Sequence, residues 1–95
     1  MSYVLIRHKV ANYAKWKQAV HAAAAWRKAS GEVSFQVYRG SSDPNDLTVV
    51  CAWANAAKMR KFMESPELRE RMEQAGVISK PEVQFFSKSE DLSAG

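Results

Sequence analysis

The sequence has a single cysteine, Cys51, and cannot close a disulfide within itself. A disulfide-stapled scaffold is thereby excluded, and Cys51 reads as a small buried strand residue in a reducing, cytoplasmic setting. Long apolar runs are missing too; none approaches the roughly 20 residues that cross a bilayer. The N-terminus carries no basic segment leading into an apolar core and cleavage site, so no signal peptide is expected. Nor is there a dense Lys/Arg cluster. The 14 basic and 10 acidic residues are dispersed, and the net charge of +4 reads as a solvated surface with weak attraction for anions, not as a nucleic-acid interface. Gly-rich phosphate loops, CxxC, HxxxH, paired carboxylates and a nucleophile elbow are all lacking. Flavin, nicotinamide and metal sites have no support, and no cofactor is expected.

What remains is a globular composition, with 46% hydrophobic and 11% aromatic residues in 95. It bounds a single domain, residues 1–95, with 89–95 as a polar tail. The chain is organised around residues 47–77. Leu47 to Trp53 is apolar except for Thr48, long enough for a strand and too short for a helix. Asn55 sits where an N-cap belongs. Met59, Phe62 and Met63 then form one apolar stripe with a charged back. Ser65-Pro66-Glu67 is a second helix start, because serine caps, proline suits the first turn and glutamate favours the helix N-terminus. Gly76 provides the stop.

The flanking segments repeat the theme. Ser2 to Val10 reads as a strand, with Val4, Ile6 and His8 on one face and Tyr3, Leu5, Arg7 and Lys9 on the other. Asn12 caps one long helix from about Tyr13 to Ala29, whose inward stripe is Tyr13, Trp16, Val20 and Ala23. Ser30-Gly31 ends it. Glu32 to Arg39 is a second strand, placing Val33, Phe35 and Val37 on one face and Ser34, Gln36 and Tyr38 on the other. Residues 40–46 form a hairpin turn, and Glu82 to Lys88 is the last strand. The order β-α-β-β-α-β predicts an α+β, ferredoxin-like fold: a four-stranded antiparallel sheet with helices on one face. Large apolar residues on both strand faces call for a second cover, and a second copy of the sheet supplies it economically.

The strings FQVYRGSSDPNDLTVVCAW, FMESPELRERMEQAGV and PEVQFF resemble the dimeric α+β barrel proteins of the antibiotic biosynthesis monooxygenase type, from Tyr3 to Phe86. The resemblance implies a homodimer pairing sheet to sheet, with a pocket in each subunit. It also implies relatives that oxygenate phenolic, polyketide-like substrates without a cofactor. The haem-degrading branch uses a tryptophan and, ten residues later, an iron-binding histidine. Phe62 and Met72 stand at the matching positions here, which argues against haem degradation.

His8 is the sharpest candidate for chemistry. An imidazole with a near-neutral pKa can accept a phenolic proton; a core-edge histidine bonded to backbone is the plainer reading. Asn12, Trp16, Tyr38, Trp53 and Phe62 are candidate substrate contacts, although packing alone accounts for Trp16 and Trp53. His21 falls off the apolar stripe and reads as solvated. Two functions stay open: a cofactor-free oxygenase for an electron-rich aromatic, and a non-catalytic dimer that binds a small apolar molecule. An open pocket lined by donors and aromatics favours the first.

Overall fold

The computed structural model describes residues 1–94. The chain runs β1 (Ser2–Lys9), α1 (Tyr13–Ala22), α2 (Ala24–Ser30), β2 (Glu32–Arg39), β3 (Asp46–Trp53), α3 (Ala56–Met63), α4 (Pro66–Gln74) and β4 (Glu82–Ser87). The strands form one antiparallel sheet in the order β2-β3-β1-β4. This is the α+β, ferredoxin-like arrangement. Among the described residues, no helix is long and apolar enough to cross a membrane.

Local chemistry sets most boundaries. Asn12, Asn55 and Ser65 each accept a bond from a first-turn amide, at 3.0, 3.0 and 3.2 Å. Each thereby satisfies one orphan donor, worth about 1 kcal/mol. Gly76 takes φ 86°, and the Val77 amide donates back to the Met72 carbonyl at 3.1 Å, closing α4. The hairpin turn is held by Asp43, whose carboxylate accepts from the Asn45 amide at 3.0 Å. Arg39 anchors the same turn, donating to the Pro44 carbonyl at 2.8 Å and lying 3.7 Å above the Tyr13 ring.

The core lies between the sheet and the helices. Val4, Ile6, Val49, Cys51 and Trp53 from the sheet pack against Trp16, Met59, Phe62 and Ala75 from the helical layer. Leu47, Val4 and Trp53 are essentially inaccessible to water, and burial of a side chain such as Leu47 contributes about 1.5–3 kcal/mol. On the opposite face Tyr3 stacks on Phe86 at 5.5 Å, and Tyr38 remains exposed.

Two expectations are corrected. The single helix over residues 13–29 is two, broken at Ala23, which has φ −89° and ψ 0°. No residue of the alanine run forces that break. The second correction concerns the start of β2. Glu32 pairs with Trp53 and Ser34 with Ala52, so Val33 is an extra residue without a partner on β3. Such a bulge inverts the alternation on one side of itself. Val33 therefore turns outward and is 54% exposed, whereas Glu32 turns inward with a side chain only 8% exposed.

Candidate functional site

A cavity of about 270 Å³ lies between the sheet and the helical layer. Of the residues anticipated from sequence, His8, Trp16, Trp53 and Phe62 line it. Asn12 does not; it is exposed and its side chain caps α1. Tyr38 stands on the opposite face of the sheet, because it alternates with the inward-facing Val37.

The four that line the cavity do not meet at one point. Ser2 pairs with Trp53 and His8 with Leu47, six positions further along β1. At roughly 3.3 Å per residue, His8 and Trp53 are about 20 Å apart in the backbone. Trp16 spans much of the gap. Its ring packs edge-on to His8 at 5.9 Å and tilts against Phe35 at 6.4 Å. The site is therefore a trough with a different polar group towards each end.

One end is His8. It is 4% exposed, and its Nδ1 has no hydrogen-bond partner. Burial pushes its pKa below the ordinary value of 6.5, against weaker opposing effects from its own backbone and from Asp46. The folded imidazole is consequently neutral at pH 7 and able to accept a proton.

The other end was not anticipated. Arg27 Nε lies 3.3 Å from Glu32 Oε1, with side chains 13% and 8% exposed. The guanidinium also sits 4.4 Å over the Phe35 ring. Burial raises the Glu32 carboxyl above its usual 4.5, outweighing the pull of Arg27 and of a hydrogen bond from Cys51. The Cys51 thiol is itself pushed well up by burial, so it is no thiolate nucleophile. Above this end Phe62 packs between Trp53 at 4.9 Å and Trp26 at 4.7 Å, and Arg71 lies 4.3 Å over Trp26. The indole Nε1 of Trp53 is buried without a partner. Gly31, at φ 117°, lets the chain pass close to Trp53; a Cβ there would stand 3.4 Å from the indole. Nothing in the sequence pattern singles out Glu32, because the register shift that turns it inward is visible only in the pairing of β2 with β3.

Among the described residues, no group of three His, Cys, Asp or Glu could hold a metal ion. Met72 lines the cavity with its thioether.

The family model for antibiotic biosynthesis monooxygenases matches residues 3–74. The chain belongs to the antibiotic biosynthesis monooxygenase family. Solved structures agree on the fold of this family member. SnoaB, a cofactor-independent oxygenase from Streptomyces nogalater, superposes with a TM-score of 0.76 at 17% identity, covering 96% of this chain and 95% of its own. A candidate antibiotic biosynthesis monooxygenase from Bordetella bronchiseptica gives 0.75 at 18% identity, with 93% and 96% covered. Another from Caulobacter crescentus gives 0.72 at 17% identity, with 94% and 90% covered. Comparison with curated proteins finds no match.

Proposed function

We propose that this family member is a homodimeric, cofactor-independent monooxygenase acting on a small electron-rich aromatic of the phenolic, polyketide-like kind. One observation carries the reading: a buried, neutral histidine, His8, in the wall of a cavity of about 270 Å³, beside the aromatic ring of Trp16 and the apolar side chains of Val4 and Ile6. Family membership and the fold shared with a cofactor-independent oxygenase support it.

In this reading His8 removes the phenolic proton. The resulting anion surrenders an electron to dioxygen far more readily than the neutral phenol does. Carbon–oxygen bond formation gives a peroxide, and loss of water leaves a carbonyl. Overall a ring CH₂ and O₂ become C=O and H₂O, the substrate supplying all four electrons, so no outside reductant enters. The protein contributes a wall formed by Trp16 beside His8 and a correctly protonated base. Homodimer formation would cover the face that carries Tyr3, Leu5, Val50 and Phe86.

Oxygen uptake by hydroxylated anthrones and quinols, with no cofactor added, tests the reading. Uptake that falls in His8→Ala is the expected result. No uptake across the panel would assign the cavity to binding alone, and undiminished uptake in the variant would remove His8 from the mechanism.

A further inference from the structure

The proposed reaction uses the His8 end of the trough and leaves the opposite end without a task. That end is nonetheless built. The bulge at Val33 exists at the one place where it turns Glu32 from the open face into the cavity. Bulges recur where a side chain must be re-aimed. Glu32 meets Arg27 from α2, and both side chains are withdrawn from water.

The pair is incompletely satisfied. A guanidinium offers five N–H donors in a planar fork. Here it makes a single 3.3 Å contact with the carboxylate, and its Nε and Nη1 are buried with no hydrogen-bond partner. Its central carbon lies 4.4 Å over the Phe35 ring, which holds the guanidinium against the cavity wall. Buried donors without acceptors are costly, and a ligand that brings an acceptor relieves that cost. The sign of the ligand's charge follows from Glu32. The carboxylate already balances the guanidinium, so a second anion would be repelled, whereas a neutral carbonyl oxygen would not.

We propose that Arg27, held in place by Glu32, is the specificity-determining residue of the trough, and that it selects aromatic ligands bearing a neutral carbonyl oxygen at the end remote from His8. This rests on the reading that the cavity takes an aromatic ligand, but not on turnover. Binding measured without oxygen chemistry therefore separates failure of this proposal from failure of the oxygenase reading.

The probes are 1-tetralone, which carries the carbonyl, and tetralin, the same skeleton without it, titrated calorimetrically into the full chain. Arg27→Met should weaken tetralone roughly tenfold or more, as expected for loss of a charged hydrogen-bond donor. Tetralin should stay within about threefold, since it never used the donor. Arg27→Lys keeps the charge without the fork and should recover only part of the tetralone affinity. Glu32→Gln tests the positioning and charge-balancing role. It should shift preference from tetralone towards 1-naphthoate, because the guanidinium is then uncompensated. Equal losses for tetralone and tetralin in Arg27→Met would make Arg27 merely structural and overturn the proposal. So would the absence of any loss, or a wild-type chain that binds neither probe. If Arg27→Met does not fold, the Arg27→Lys and Glu32→Gln comparisons decide, and unchanged ligand preference in both overturns it.

Discussion

The two ends of the trough reach a buried polar group by different routes. At the His8 end, regular alternation along β1 carries the imidazole inward beside Val4 and Ile6, and nothing pairs with its Nδ1. At the far end, alternation is interrupted, and a carboxylate that would have faced outward is brought in to meet a guanidinium. The first group is alone and becomes neutral; the second has a partner and stays close to it. Burial pushes both groups towards neutrality, but only Glu32 has a buried partner of opposite charge pulling the other way. The difference suits a base at one end and a fixed recognition element at the other.

Removing each group should expose that contrast. The largest expected effect is on turnover. His8→Ala should slow cofactor-free oxygen uptake by roughly 10²–10⁴-fold, the usual contribution of a positioned base; His8→Leu, which fills much of the space beside Trp16, should cost little in stability because Nδ1 has no bond to lose. The far end should behave in reverse. Glu32→Ala strands Arg27, and removing one member of a buried pair typically costs about 3–5 kcal/mol. Since the Arg27 side chain keeps 13% exposure, a loss near the lower limit is expected in urea unfolding. The double variant Arg27→Met/Glu32→Leu should recover most of it. A His8→Leu protein that is badly destabilised, or a Glu32→Ala protein that is not, would erase the distinction.

The pH dependence of stability gives a smaller and sharper test, because the two ends carry opposite signs. His8 has a depressed pKa when folded, so below its ordinary 6.5 the unfolded chain binds a proton that the folded chain refuses. Its contribution therefore falls as pH drops below about 6.5. Glu32 has a raised pKa when folded, so above its ordinary 4.5 the folded chain keeps a proton that the unfolded chain has lost. Its contribution falls as pH rises from about 4.5 through the folded value. His8→Leu should flatten the first slope and Glu32→Gln the second. In turnover, the acid limb of kcat/KM should have its midpoint below 6.5 if His8 is the base. A midpoint at or above that value would point to another group.

Much of this was legible from residues alone, and the reason is locality. Asn12, Asn55, Ser65 and Gly76 act on amides and carbonyls a few residues away, so their chemistry places element ends without knowledge of the rest of the fold. His8 was legible because β1 alternates without interruption. Glu32 was not, because Val33, Phe35 and Val37 form an unbroken period of two that argues for Val33 inward. Only pairing with β3, a tertiary event, reveals the extra residue. Arg27 was hidden by the same distance, since its partner lies across a glycine turn and its stacking ring is on another element. Trp53 and His8, both candidates for one site, do not converge, for a plainer reason. They sit at opposite ends of paired antiparallel strands.

The smallest expected effect concerns where the His8 end stops. Asn12 follows β1 closely enough in sequence to be taken for part of the site, and its amide could in principle hold a substrate oxygen. Its oxygen, however, is already committed to the Lys15 amide at 3.0 Å, and the residue is exposed. Tyr38 is likewise remote, being 58% exposed on the opposite face. Asn12→Ala should therefore register as a lost cap, about 1 kcal/mol in unfolding free energy. KM and kcat for any substrate that His8 acts upon should remain within about twofold of wild type, as expected for a stability change away from the site. Asn12→Ser keeps a capping oxygen on a shorter side chain and should restore stability. Tyr38→Phe should change neither stability nor turnover appreciably. A KM that rises in Asn12→Ala and is not rescued by serine would extend the trough past His8 to the start of α1, and the base would then lie inside the binding site instead of at its end.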